Sequence, residues 1–115
     1  MRGLMKIVTV PTFTVEIYLA GNMADIERTC AAFCMTRLCV SIEPTKFIYT
    51  GGREDGAVVR LVNYPRFPSE PDAIRAKARE LADKLIAECC QWSALLVDRE
   101  QTEWRTCRPE EQSAA

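Results

Sequence analysis

The chain has 115 residues, of which 48% are hydrophobic and 27% charged, the balance of one globular domain rather than of a disordered segment. Its formal net charge is −1 with no histidine, so no strong field selects nucleic acid or an anionic membrane. The missing imidazole also excludes Ser-His and Cys-His nucleophile pairs and HExxH zinc sites.

Residues 1–11 carry two cations and some apolar residues but no sustained apolar run with a small-residue cleavage site, so they read as an N-terminal extension rather than a signal peptide. No run of about 18 apolar residues suggests a membrane span. Thr12 to Ala20 follows with strict alternation: Phe13, Val15, Ile17 and Leu19 against Thr12, Thr14, Glu16 and Tyr18. That is the period of a half-buried strand. Gly21 ends it, and Asn22 with Asp25 three residues on makes a helix N-cap signal. Met23, Ile26, Cys30, Phe33, Cys34 and Leu38 then recur at helical spacing, which predicts a helix of about four turns.

A second strand is expected from Val40 to Thr50, with Pro44 marking an edge position or a bulge. Gly51 to Gly56 (GGREDG) reads as a hairpin loop; its Glu54 and Asp55 argue against a phosphate cradle. The third strand is Ala57 to Tyr64. After a loop punctuated by Pro65, Pro68 and Pro71, Ser69 with Asp72 signals a second cap. The second helix carries the stripe Ile74, Ala78, Leu81, Ala82, Leu85 and Cys89. Ser93 to Trp104 reads as one fourth strand, and residues 105–115 as a flexible tail.

The order strand, helix, strand, strand, helix, strand is that of the split βαβ, or ferredoxin-like, α+β arrangement over residues 12–104. It implies a four-stranded antiparallel sheet with two helices on one face, the first and third strands central and the second and fourth at the edges.

Six cysteines without a CxxC pair or an export signal read as reduced thiols of a cytoplasmic protein, with Cys30, Cys34 and Cys89 on apolar stripes as core residues. Neither metal nor cofactor is expected from these spacings.

If Phe13, Val15, Ile17 and Leu19 face the helices, the other face of the sheet carries Tyr18, Phe47, Tyr49, Val58, Val62 and Tyr64, with Arg60 among them. Such a face is too apolar for plain solvent. Tyr18, Phe47, Tyr49, Arg60 and Tyr64 are therefore the candidate ligand or interface residues, and no catalytic set stands out. Glu16, Asp98, Glu100 and Glu103 are available as acids or bases, with Arg60 or Arg99 as anion partners, although such groups on sheets usually pair with one another. Trp92 suits packing at the helix end, and Trp104 would extend the aromatic face.

The sequence thus reads as a non-catalytic binding or assembly module, homodimeric through its open sheet face. The alternative is a small enzyme or ligand sensor with its site on that face or at an oligomer interface. A small molecule or another protein remains a possible partner; nucleic acid is disfavoured by the charge and by the lack of an RNP1 pattern.

Overall fold

A computed structural model describes residues 3–35 and 37–109. Their order is β1 (Thr14–Ala20), α1 (Met23–Phe33), β2 (Val40–Tyr49), β3 (Gly52–Val62), α2 (Pro71–Glu88), β4 (Ser93–Val97) and β5 (Thr102–Thr106). The fold is α+β, with one antiparallel sheet of five strands in the order β2-β3-β1-β4-β5. β1 and β3 lie inside the sheet and β2 at an edge, as expected.

The four-strand expectation is corrected at the C-terminal end. Ser93 to Trp104 is not one strand but the start of a hairpin. Asp98 breaks it: its carboxylate accepts from the N–H groups of Glu100 and Gln101 at 2.7 and 3.0 Å, and its own N–H donates to the Gln101 carbonyl. This Asx turn reverses the chain. β5 therefore takes the edge that β4 was expected to hold, and it runs through Thr106, two residues beyond the expected domain boundary. Residues 105 and 106, expected in the tail of residues 105–115, thus belong to the strand, and residues 110–115 lie outside the described part.

The first hairpin is likewise tighter than GGREDG suggests. Tyr49 pairs with Gly52, so the turn is Thr50-Gly51, with Gly51 at φ +90°, where glycine is favoured. Arg53, Glu54 and Asp55 are strand residues rather than a loop tip. Gly56 serves a different purpose: a Cβ there would lie 2.2 Å from the Leu19 carbonyl oxygen, so only glycine lets β3 lie flat against β1.

α1 begins where Asn22 accepts from the Asp25 N–H at 3.2 Å. It ends a turn earlier than the apolar spacing suggests. Cys34 is its C-cap, and Arg37 at φ 43° turns the chain, leaving Leu38 outside the helix although still packed on the core. α2 starts with Pro71 in the first turn, as expected, but Glu70 rather than Ser69 is the N-cap and no side chain caps it. The Ser69 N–H instead donates to the Asn63 side chain.

α2 packs across β1 and β4, and α1 against β2, β3 and α2. The core between helices and sheet contains Phe13, Val15, Ile17 and Leu19 with Ile26, Cys30, Val59, Leu61 and the full α2 stripe, all buried. The facing of β1 is therefore the expected one. All six cysteines are free: Cys30 and Cys89 are buried, Cys34 is only half-buried, and the other three are exposed. Among the described residues, no helix is long and apolar enough to cross a membrane.

Candidate functional site

The sheet register decides what shares the open face. Tyr18 of β1 stands beside Val58 of β3 on one side and Leu95 of β4 on the other, and Leu95 stands beside Trp104 of β5. Phe47 and Tyr49 of β2 lie opposite Glu54 and Gly52 of β3. Since partners across a ladder point to the same face, these residues look away from the helices.

At the end of the sheet where β1 runs into Ala20, they enclose a groove of about 410 Å³. Tyr18, Phe47, Tyr49, Trp92, Leu95 and Trp104 supply its walls, and Glu54, Gln91, Ser93 and Arg108 its polar groups. The volume suits a small molecule. Its two tyrosine rings are held rather than loose. The Tyr49 ring lies over Gly52, where a Cβ would come within 2.9 Å of Cε2, and its hydroxyl donates to Glu54 at 2.8 Å. That hydrogen bond holds the Tyr49 hydroxyl above its ordinary pKa. The backbone of Trp92 is fixed, because its carbonyl accepts from the Cys107 N–H at 2.7 Å and continues the β4–β5 ladder. Trp92 and Trp104 nevertheless remain 53% and 52% exposed, so both rings present a face to solvent.

Beside the groove runs a charged row. Arg60 donates from Nε to Glu16 at 2.7 Å and from its NH1 group to Glu43, while the Tyr18 hydroxyl donates to the other Glu16 oxygen at 2.9 Å. The Arg60 hydrogen bond keeps Glu16 below the usual carboxylate range despite partial burial, and the bond to Glu16 raises Tyr18. This row fixes Tyr18 at the wall of the groove.

Of the candidate residues read from the sequence, Tyr18, Phe47 and Tyr49 are brought together. Arg60 shares their face but is spent on two carboxylates. Tyr64 is not part of the group. It lies past the end of β3 and stacks on Phe67, with ring centroids 4.9 Å apart.

The remaining acids are structural. Asp98, its side chain only 4% exposed, accepts from Arg75 at 2.9 Å, and Glu100 accepts from the same guanidinium at 2.8 Å. Glu103 faces the helices and pairs with Arg79 and Arg105. Arg99 donates to the Thr12 carbonyl and lies over the Phe13 ring.

Sequence reasoning placed Trp92 in packing and gave no role to Glu54, Gln91 or Arg108. The signal was present in the β4–β5 hairpin: once Asp98 turns the chain, Trp104 folds back beside Leu95, on the side where Trp92 stands. A larger and shallower cleft of about 800 Å³ lies between the start of α1 and β2. Its polar groups serve the fold, since Lys46 pairs with Asp55 at 2.6 Å and Asn22 caps α1.

No protein-family model matches the sequence, and the comparison with curated proteins finds no match. Among solved structures, the fold is similar to a phage SAM lyase in complex with S-methyl-5′-thioadenosine, with a TM-score of 0.60 and 14% identity over 91% of this chain and 97% of that one. It is similar also to the phage SAM lyase in its apo state, with a TM-score of 0.61 and 14% identity over 92% and 98% of the two chains. At that identity the likeness shows the fold alone. It extends over nearly the whole length of both proteins.

Proposed function

We propose that the groove on the open sheet face binds S-adenosylmethionine and that the chain is a small lyase releasing S-methyl-5′-thioadenosine. This is the enzyme alternative of the sequence reading, chosen over a flat assembly surface. The observation that carries it is the shape and chemistry of the groove: it is concave, five aromatic rings line it, and Glu54, Gln91 and Arg108 converge on it.

S-Adenosylmethionine has three recognisable parts, and the groove offers chemistry for each. The adenine is a flat π-surface that stacks on indole or phenol rings such as Trp92 and Trp104. The sulfonium is a permanent cation that aromatic faces attract, with Glu54 at the Tyr49 end adding negative charge. The amino-acid end carries a carboxylate, for which Arg108 is the cation in the groove. A likeness of fold to an S-adenosylmethionine lyase along nearly the whole chain supports the same assignment.

The reaction asks little of side chains. When the bond from sulfur to the aminobutyryl carbon breaks, its electron pair stays on sulfur and the positive charge disappears. The fragment's own carboxylate can close on the carbon released, so the step consumes no water and transfers no proton. Because opposite charges are lost on the way to products, an apolar groove that strips water from the sulfonium favours the transition state. The contribution of this chain is then orientation and exclusion of water.

The test is direct. Titrating S-adenosylmethionine or S-methyl-5′-thioadenosine should change the fluorescence of Trp92 and Trp104, the chain's two tryptophans. Chromatography of the incubated substrate should show the thioether nucleoside forming faster than in buffer. Trp104→Ala should weaken binding about tenfold or more while leaving the fold intact, the scale of one stacking contact. Absence of binding at millimolar ligand together with absence of release above the buffer rate would reject the reading.

A further inference from the structure

Tyr64 and Phe67, which fall outside the groove, wall a separate and smaller cavity. It lies where β3 ends, between the last turn of α1 and the first half of α2, and encloses about 180 Å³. The buried Leu61 and Ile74 form its base, and Phe33, Leu38, Tyr64 and Phe67 its sides. These walls are tied in place. The Phe67 N–H donates to the Tyr64 carbonyl at 3.0 Å, the two rings stack with centroids 4.9 Å apart, and the Asn63 side chain accepts from the Ser69 N–H at 2.9 Å. On the α1 side, Arg37 at φ 43° turns the chain and Leu38 packs back on the core.

The charges at this cavity have one sign. Arg37 and Lys77, both exposed, line its opening, and no carboxylate of the described residues does. The Lys77 ammonium stands 5.9 Å from the centre of the Phe33 ring, against an apolar wall. Its pairing with Glu80, at 3.7 Å and with both side chains more than half exposed, is too wet to neutralise it. Among the described residues Arg37 has no carboxylate partner. An apolar base, aromatic sides and two cations at the opening select a ligand with a ring-sized apolar body and one negative charge. The size agrees, because an apolar cavity of about 150 Å³ holds benzene. A bare inorganic anion would leave the aromatic walls in water, and a neutral ring would leave both cations without a partner.

We propose that this cavity is a binding site for a small aromatic carboxylate, its ring against Phe33, Tyr64 and Phe67 and its carboxylate on Lys77 and Arg37. The inference does not depend on what the groove binds.

Benzoate is the probe. Titrated into the isotope-labelled full chain, it should bind saturably with a Kd of about 1 mM, the scale for a ligand of about nine non-hydrogen atoms. Amide shifts should centre on Leu38, Phe67 and Ala73 rather than on Leu95 and Trp104 of the groove. Alkylation of Cys39, exposed at the opening, should slow under saturating benzoate, while that of Cys90 and Cys107 should not. Arg37→Gln combined with Lys77→Gln should weaken binding at least about tenfold, the scale of lost charge-assisted hydrogen bonds. Ala73→Trp, at an exposed position of α2 clear of the Arg37 turn, should fill the cavity and abolish binding with the circular dichroism spectrum unchanged. Benzyl alcohol and inorganic phosphate should each bind at least about tenfold more weakly than benzoate. The proposal is overturned by absence of saturable binding at about 10 mM benzoate. Equal binding of benzyl alcohol or phosphate, full affinity in either variant, or shifts confined to the groove would each overturn it too.

Discussion

On the helix side of the sheet, Phe13, Val15, Ile17 and Leu19 are sealed under α1 and α2, and the paired residues Val59 and Leu61 are sealed with them. On the opposite side of the same strands, Tyr18 is half-buried, Val62, Tyr49 and Trp104 are 42–52% exposed, and the charges Glu16, Arg60 and Glu43 are tied to one another. The alternation of β1 produces both faces at once. One face excludes water and defines the fold; the other keeps aromatic rings accessible and holds Tyr18 and Tyr49 by hydrogen bonds to carboxylates. Stability is therefore assigned to one side of a single sheet and the proposed binding groove to the other, and substitutions should sort by side.

The largest effects belong to the helix side. Leu81→Ala or Leu85→Ala, both fully buried, should cost about 2–5 kcal/mol in chemical denaturation. Val62→Ala on the open face should stay within about 0.5 kcal/mol. Equal losses at Leu81 and Val62 would break the division of labour between the faces.

Gly56 tests how closely the strands under both faces must approach. Gly56→Ala puts a Cβ against the Leu19 carbonyl and within 2.7 Å of the Ala20 Cα, both of them backbone. Backbone can yield only by separating β3 from β1. A destabilisation of about 1–3 kcal/mol is expected, the range for overpacking, with the groove wall at Ala20 disturbed as well. Unchanged stability would mean that the two strands are not so tightly joined.

Much of the helix side is legible in the sequence because a period of two or of 3.6 is a long-range pattern that a single residue cannot disguise. The α2 stripe from Ile74 to Cys89 is buried as read, as is every inward residue of β1. What escapes is decided by single residues. Asp98 converts one apparent strand into a hairpin through two backbone hydrogen bonds, and hydropathy does not register that change. Arg37 at a positive φ ends the reach of α1 before Leu38, although the apolar spacing continues. The groove is harder still. Tyr18, Phe47 and Tyr49 follow from alternation alone, but Trp92 and Trp104 join them only after the Asp98 turn has folded β5 back. Counting along β3 puts Tyr64 on the same face, but it leaves because the strand ends at Val62 and Phe67 offers a stacking partner.

The Asp98 turn is also where acid should act on the body of the fold. Burial by itself would raise the Asp98 carboxyl, but the Arg75 hydrogen bond and the two backbone N–H donors outweigh it and hold the group below the ordinary carboxylate range. A depressed pKa in the folded state contributes stability that is present above the unfolded value, near 3.8, and lost as pH falls through the folded one. Melting temperature should therefore fall as pH drops below about 4. Asp98→Asn should be less stable at neutral pH and should flatten that decline. An unaltered acid limb in the variant would assign the effect to other carboxylates, such as Glu16 and Glu103, which are also held low by arginine hydrogen bonds.

The smallest effect leaves stability untouched and reads the two environments through sulfur. Cys30 lies under the helices at 2% exposure, and burial pushes its thiol up to about 12. At pH 8 only about one such thiol in ten thousand is ionised, against about a quarter for a free cysteine. Burial raises Cys89 as well, and Cys34, half-buried at the end of α1, is shifted in the same direction. Cys39, Cys90 and Cys107 are exposed. A thiol reagent added to native protein at pH 8 should therefore label three residues quickly and Cys34 more slowly. Cys30 and Cys89 should react only when denaturant opens the core, and mass spectrometry of the labelled peptides assigns each site. Saturating S-methyl-5′-thioadenosine should leave Cys30 as slow as before, because the groove lies across the sheet from it, whereas Cys89 touches the groove residue Gln91 through its carbonyl. If ligand binding changed the Cys30 rate, the two faces would be coupled through the sheet.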